Sequence, residues 1–106
     1  MSQSSAFTRF RAKTFNALAD PIRLEIIDFL RAGEKCVCEI TPHLNLVQPL
    51  VSRHLRILKN AGLVKRRKKS TWHFYSLTDK RIVELIDGLS PEFIDSIKLK
   101  IIEQIV

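Results

Sequence analysis

Apolar residues recur at helical spacing along most of the chain and alternate in one short stretch. From Ala6 to Ala19, the positions Phe7, Phe10, Ala12, Phe15 and Leu18 mark one face of a predicted helix. Asp20-Pro21 reads as an N-cap followed by proline at the first helical position. The helix it opens is expected to run to about Ala32 on Ile22, Ile26, Ile27, Phe29 and Leu30, with Gly33 as its C-terminal cap. A third, short helix is expected from about Cys38 to Leu44, and Asn45-Leu46-Val47 forms the turn after it. The fourth covers Gln48 to Asn60 and is ended by Gly62. Val51, Leu55 and Leu58 stand at i, i+4 and i+7 and face a core, which turns Gln48, Pro49, Ser52, Arg53 and Arg56 outward. Two short helices joined by a tight turn, the second polar and basic outside, make a helix-turn-helix pattern.

Leu63 to Arg67 and Thr71 to Leu77 are rich in β-branched, aromatic and basic residues. They predict a hairpin with its tip near Lys68-Lys69-Ser70, Trp72 and Phe74 on one side and His73 and Tyr75 on the other. A basic hairpin directly after a reading helix is a wing. Asp79 to Leu89 is helical on Ile82, Leu85, Ile86 and Leu89. Ser90-Pro91-Glu92 starts a last helix, followed by Phe93, Ile94, Ile97, Ile101, Ile102, Ile105 and Val106. So many large apolar residues exceed what one small core needs, and a partner subunit is expected to cover them. The expected fold is mainly α with a β-hairpin wing. It is a dimeric winged helix-turn-helix of order α-α-α-α-β-β-α(-α), one domain over residues 1–106.

Charge sharpens this picture through its position. The chain of 106 residues carries a formal net charge of +7. Between Ile40 and Thr78 there is no Asp or Glu, while Arg53, Arg56, Lys59, Lys65, Arg66, Arg67, Lys68 and Lys69 make that stretch +8. The remainder, with ten basic and eleven acidic residues, comes to −1. A polyanion such as double-stranded DNA is the natural partner, because cations that neutralise phosphates release counterions. An anionic membrane surface or a merely solvated face are the readings that charge alone leaves open. No apolar run is long enough to span a bilayer, and Met-Ser-Gln-Ser-Ser lacks the apolar stretch of a signal peptide, so a cytoplasmic protein is expected. Without a Gly-rich phosphate loop or a His/Glu zinc-helix motif, no enzyme is expected. A protein-interaction winged helix is the next class, but it has no need of an acid-free stretch.

In a DNA reader, Arg53 is the candidate for a bidentate contact to guanine. Gln48 suits adenine or a phosphate, and Ser52 either role. His54 follows core Val51 by three residues, so a base contact and a structural histidine both stay open. Arg56 and Lys59 lie further along, towards phosphates, and Arg66, Arg67, Lys68 and Lys69 supply wing contacts that position without specifying.

Cys36 and Cys38 are too close in sequence to staple a fold. In a reducing compartment they read as free thiols or ligands. Within a regular helix, i and i+2 point to nearly opposite sides, so the two share one ion only if that turn is extended. Two thiolates suit soft ions such as arsenite, antimonite, Cd(II) or Cu(I), whereas tetrahedral zinc needs two more ligands. Glu39 and His43 are the nearby candidates. A pair of buried small hydrophobes and a vicinal redox switch are the other readings. A thiol oxidoreductase would instead carry Cys-x-x-Cys near a βαβ pattern.

Four strings in order, Phe15-Asn-Ala-Leu-Ala-Asp-Pro-Ile-Arg23, Gln48-Pro-Leu-Val-Ser-Arg-His-Leu55, Asn60-Ala-Gly-Leu-Val64 and Trp72 to Leu77, together resemble the ArsR/SmtB family of metal- and stress-sensing repressors. The resemblance implies a homodimer whose first and last helices form the interface, a palindromic operator, and release when an inducer binds. Glu34-Lys-Cys-Val-Cys-Glu-Ile40 resembles the metal-binding box of the arsenic- and cadmium-sensing branch, with Cys36 and Cys38 as its thiolates. That implies As(III), Sb(III) or Cd(II) as inducer and no organic cofactor. The third cysteine of one arsenite-sensing group falls on Thr41 here. Residues 1–19 hold no cysteine for a cadmium-type arm, and residues 78–106 hold no histidine for the family's zinc site on the last helix. Ser70 stands at the wing tip, where the family often has glycine.

Overall fold

The structure is a computed structural model that describes residues 3–105. The expectations placed on Met1, Ser2 and Val106 lie outside the described residues. Among the described residues six helices and three strands follow in the order α1 (Gln3–Leu18), α2 (Pro21–Leu30), β1 (Lys35–Cys36), α3 (Val37–Leu44), α4 (Gln48–Asn60), β2 (Val64–Lys69), β3 (Trp72–Leu77), α5 (Arg81–Asp87) and α6 (Pro91–Ile105). This is a winged helix-turn-helix with one strand more than the sequence pattern predicts. No helix among the described residues is long and apolar enough to cross a membrane.

Local chemistry starts and stops the helices where the punctuation residues lie. Asp20 Oδ1 accepts from the backbone N–H groups of Ile22 at 2.8 Å and Arg23 at 3.2 Å, satisfying two orphan donors of α2. That helix ends at Leu30, short of Ala32, and Gly33 follows with φ 132°, a conformation L side chains rarely adopt. Asn45, with φ 54°, makes the left-handed step that closes α3 and sets up α4. Ser90 Oγ accepts from the N–H of Phe93 at 3.2 Å and caps α6. The expected span of Asp79 to Leu89 shortens to α5, because the Asp79 carboxylate caps the chain from outside, at the N–H of Arg81.

The hairpin is longer and its turn tighter than expected. Lys69 pairs with Trp72, so the loop is Ser70-Thr71 alone and Lys68 and Lys69 belong to the strand. Ser70 takes φ 56°, the conformation glycine favours at such tips. On the other side of β3 lies β1, with Lys35 opposite Tyr75 and Cys36 opposite Phe74. The sheet order is therefore β1-β3-β2, and the segment before α3 is stitched to the wing.

The core is gathered from α2, α3, α4 and the base of the wing: Ile26, Ile27, Leu30, Ile40, Val51, Leu55, Leu58, Val64 and Tyr75 are buried, with Ala17 and Leu18 closing it from α1. The i, i+4, i+7 stripe of α4 faces inward as its spacing predicts. His54 joins it. Its side chain is buried, and Nδ1 lies 3.1 Å from Arg23 Nη1. An arginine only donates, so Nδ1 accepts and the proton sits on Nε2. Arg23 Nε also donates to the carbonyl of Ala17 at 2.6 Å. One guanidinium thus ties the end of α1 and the start of α2 to the middle of α4. Of the two readings open for His54, its burial and its contact with Arg23 favour the structural one over the DNA contact.

The two histidine readings separate in stability. His54→Ala should cost about 2 kcal/mol, from a lost buried ring and an arginine left without its acceptor. Exposed Arg53→Ala should stay within about 0.5 kcal/mol. Urea denaturation of both variants checks this; equal effects would mean that His54 is not packed as described.

Candidate nucleic-acid interface and thiol pair

Packing the apolar stripe of α4 inward fixes what it shows outside. Gln48, Pro49, Arg53 and Arg56 are exposed and Ser52 is half-buried. Pro49 stands in the first turn, where its missing N–H is no loss. In the wing, Arg66, Lys68 and Lys69 are exposed. Among the described residues none of Arg53, Arg56, Arg66, Lys68 and Lys69 is held in an ion pair. These cations are therefore available to phosphates.

Arg67 differs. Its Nη2 and Nε donate to the two carboxylate oxygens of Glu34 at 2.8 and 3.0 Å, and its guanidinium carbon lies 5.1 Å from the centre of the Phe74 ring. The hydrogen bonds from Arg67 hold the Glu34 carboxyl below its usual range, and Glu34 in turn raises Arg67. Arg67 thus differs from the other wing cations in having a carboxylate partner, Glu34, in the segment leading into β1, although the pair is exposed. Strand alternation places Arg67 opposite Phe74 and Arg66 opposite Tyr75, so consecutive arginines leave on opposite faces.

Cys36 closes β1 and caps α3. Its backbone is extended, with ψ 147°, which brings the two side chains together despite the i, i+2 spacing. The sulfurs are joined in a disulfide, where the sequence reading expects free thiols or ligands. Cys36 is 3% exposed and Cys38 lies at the surface. Cys36 Sγ accepts from the N–H of Cys38 at 3.1 Å, and Glu39 reaches back to the N–H of Cys36 at 3.0 Å, completing a capping box. Glu39 is thereby occupied. His43 stacks on Phe29 with ring centres 3.8 Å apart. Neither candidate third donor is gathered with the sulfurs, and among the described residues no group of three His, Cys, Asp or Glu is placed to hold a metal.

A cavity of about 460 Å³ lies beside the pair. Cys36, Cys38 and Thr41 line one side, Gln48 and Ser52 of α4 another, and Thr71, Trp72, His73 and Tyr75 of the wing a third. Thr41 Oγ1 is buried without a hydrogen-bond partner. The sequence reading names Thr41 only as the place of an absent cysteine, and Trp72, His73 and Tyr75 only as strand residues. They come together only because β1 joins the wing, and a two-residue strand has no sequence signature of its own.

Residues 20–66 match the model of the family described as "Bacterial regulatory protein, arsR family". An uncharacterized HTH-type transcriptional regulator of Methanocaldococcus jannaschii is 49% identical over 76 residues, covering 71% of this chain and 85% of that one. An arsenical resistance operon repressor of Bacillus subtilis is 36% identical over 86 residues, covering 80% of this chain and 81% of that one. Among solved structures, the homodimeric winged helix-turn-helix DNA-binding domain of a possible ArsR-family regulator from Mycobacterium bovis superposes with a TM-score of 0.80. It is 27% identical and covers 91% of this chain and 92% of that one. With sequence and fold in agreement over most of its length, the chain belongs to the arsR family of transcriptional regulators.

Proposed function

We propose that this protein is a homodimeric repressor that reads a palindromic DNA operator and leaves it when a thiophilic metal or metalloid binds Cys36 and Cys38. The observation that carries the DNA half is the shared groove. Gln48 and Ser52 border the same cavity as Thr71, Trp72 and His73, so the reading helix and the wing address one ligand surface. Around it the exposed cations have no competing carboxylate of their own segment.

On this reading, α4 enters the major groove. Arg53 takes a guanine, Gln48 and Ser52 read or anchor at the helix start beside Pro49, and Arg56 meets a phosphate. Arg66, Lys68 and Lys69 hold the backbone from the wing. His54 is left out as buried, and Arg67 as engaged by Glu34.

A second copy of the chain is the proposed cover for the two terminal helices. No residue of α6 is buried, although it presents Phe93, Ile94, Ile97, Leu99, Ile101, Ile102 and Ile105. Phe7, Phe10 and Phe15 of α1 are each more than half exposed. The Mycobacterium bovis structure is described as homodimeric, which supports the same arrangement.

The signal half rests on Cys36 and Cys38. Reduced, the pair supplies two thiolates to arsenite, antimonite or Cd(II), and an exogenous oxygen or sulfur completes the set. The relative from Bacillus subtilis, named for arsenical resistance, supports this choice. Binding must favour the DNA-free conformation, because a ligand shifts an equilibrium only by its differential affinity. The Cys36–Cys38 bond favours a second reading, in which oxidation itself is the signal.

Three outcomes test these statements. In gel shifts across salt concentrations, Lys68→Ala with Lys69→Ala should lower the log–log slope by roughly two and weaken all sequences alike, while Arg53→Ala should relax one base pair by about 1–3 kcal/mol. If Arg53→Ala leaves sequence preference untouched, α4 is not the reader. In sedimentation, Ile97→Asp with Ile101→Asp should give a monomer whose affinity for a palindrome falls by roughly tenfold or more; a dimer that persists would place the seam elsewhere. Arsenite should release DNA from reduced protein only. Cys36→Ser with Cys38→Ser should bind DNA and ignore arsenite. Release from that double variant would locate the sensor outside the pair.

A further inference from the structure

The structure places an exposed sulfur, a buried sulfur and a cavity in one line, and we infer that Cys38 is a site of reversible S-thiolation by a low-molecular-weight organic thiol, whose body then fills the cavity and blocks DNA. The inference rests on the proposed reading face of α4 and the wing.

The two sulfurs of the disulfide are not equivalent. Cys38 is an exposed residue that lines the cavity, which gives an incoming thiolate an approach to it, whereas Cys36 is 3% exposed. Attack at Cys38 forms a new S–S bond to the organic thiol and breaks the bond between Cys38 and Cys36. The electron pair of the broken bond leaves on Cys36 as a thiolate. That sulfur sits at the N-cap of α3, accepts from the N–H of Cys38 at 3.1 Å, and lies at the positive end of the helix. The geometry therefore favours Cys36 as leaving group and Cys38 as the carrier of the adduct. No external oxidant is consumed, and the protein gains one whole thiol molecule. The reverse attack by Cys36 releases it again.

The cavity supplies the second, independent argument. At about 460 Å³ it is within the size of small-molecule sites. It is lined by Cys38 and carries side chains that can bond a polar ligand, those of Gln48, Ser52 and His73. Its far wall is Gln48 and Ser52, the start of the reading helix. An organic group anchored on Cys38 occupies the space between α4 and the wing, where DNA has to enter. A small adduct that does not span the cavity leaves that space open.

The test uses the full chain and glutathione as probe. Oxidised protein treated with glutathione should gain the mass of one glutathione, mapped to the Cys38 peptide. Cys36→Ser treated with glutathione disulfide should carry the same adduct in trapped form, because the resolving sulfur is gone. Serine also caps helices, so this variant should fold, as circular dichroism will report. Against its own untreated form, the adduct should bind duplex DNA weaker by roughly tenfold or more, since a bulky anion faces phosphates. Dithiothreitol should restore binding. A methylthio group placed on Cys38 by methyl methanethiosulfonate should change binding by no more than roughly twofold, because it leaves the far wall free. An adduct on Cys36, reduction without any adduct, or equal inhibition by the methylthio group would overturn the inference. If unmodified Cys36→Ser protein, which cannot form the internal bond, fails to bind duplex DNA, the reading of α4 and the wing falls, and the blocking step with it. The exchange at Cys38 is then decided by the peptide map alone.

Discussion

Burial of one edge of α4 governs the rest of this molecule. Val51, Leu55 and Leu58 have no exposed surface, and each fully buried side chain of this kind is worth about 1.5–3 kcal/mol. A helix of 13 residues held by that edge cannot rotate without exposing it, so the opposite edge is fixed as well. Arg53 and Arg56 point to solvent because leucines and a valine point away from it. His54 adds a polar lock to the apolar one. Through Arg23, the middle of α4 is tied to the end of α1 and to the capped start of α2. Reading face and terminal helix are thereby linked by one guanidinium rather than by a chain of loops.

The same core leaves the two ends of the chain unpaid. Among the described side chains of α1 only Ala17 and Leu18 are buried, and nothing of α6 is. A 15-residue helix with its apolar residues in water is marginal by itself, because helices in proteins draw their stability from packing. The free energy for keeping α6 helical has to come from a surface that this copy of the chain does not provide. That requirement, more than any pattern in the sequence, argues for a second copy. A second copy that supplied it would make fold and assembly one equilibrium, in which dilution weakens both.

Helices were legible in the sequence wherever spacing and caps agreed, as at Asp20-Pro21, Ser90-Pro91 and the stripe of α4. What escaped was long-range. The strand β1 is two residues long, and its partner, β3, begins 36 residues further on, at Trp72. Glu34 and Arg67 are separated by 33 residues, so four consecutive wing cations read as one class when one of them is engaged. His54 was ambiguous because its position, three after Val51, falls at the rim of the apolar arc. Its role is decided by Arg23, which local periodicity does not see. For the cysteines, the condition that i, i+2 spacing sets is met: Cys36 lies outside the helix, as its extended cap, and only Cys38 is inside.

The thiol segment touches the reading face by three routes of unequal strength. The Glu34–Arg67 pair is exposed, and an exposed pair is screened by salt and contributes little. The pairing of Lys35 and Cys36 with Tyr75 and Phe74 is a backbone ladder beside the buried Tyr75, and it carries displacement of β1 into the wing. The N-cap at Cys36 is the third route, since changing what its sulfur accepts alters the first turn of α3, the helix that precedes α4. A signal at the sulfurs strong enough to move DNA binding has to pass through the ladder and the cap. Coupling carried that way should survive high salt. DNA affinity, which on the proposed reading Arg53, Arg56, Arg66, Lys68 and Lys69 carry, should not, because it comes largely from released counterions. On the proposed function, signal and affinity therefore share a groove but rest on different physics, and ionic strength is the variable that separates them.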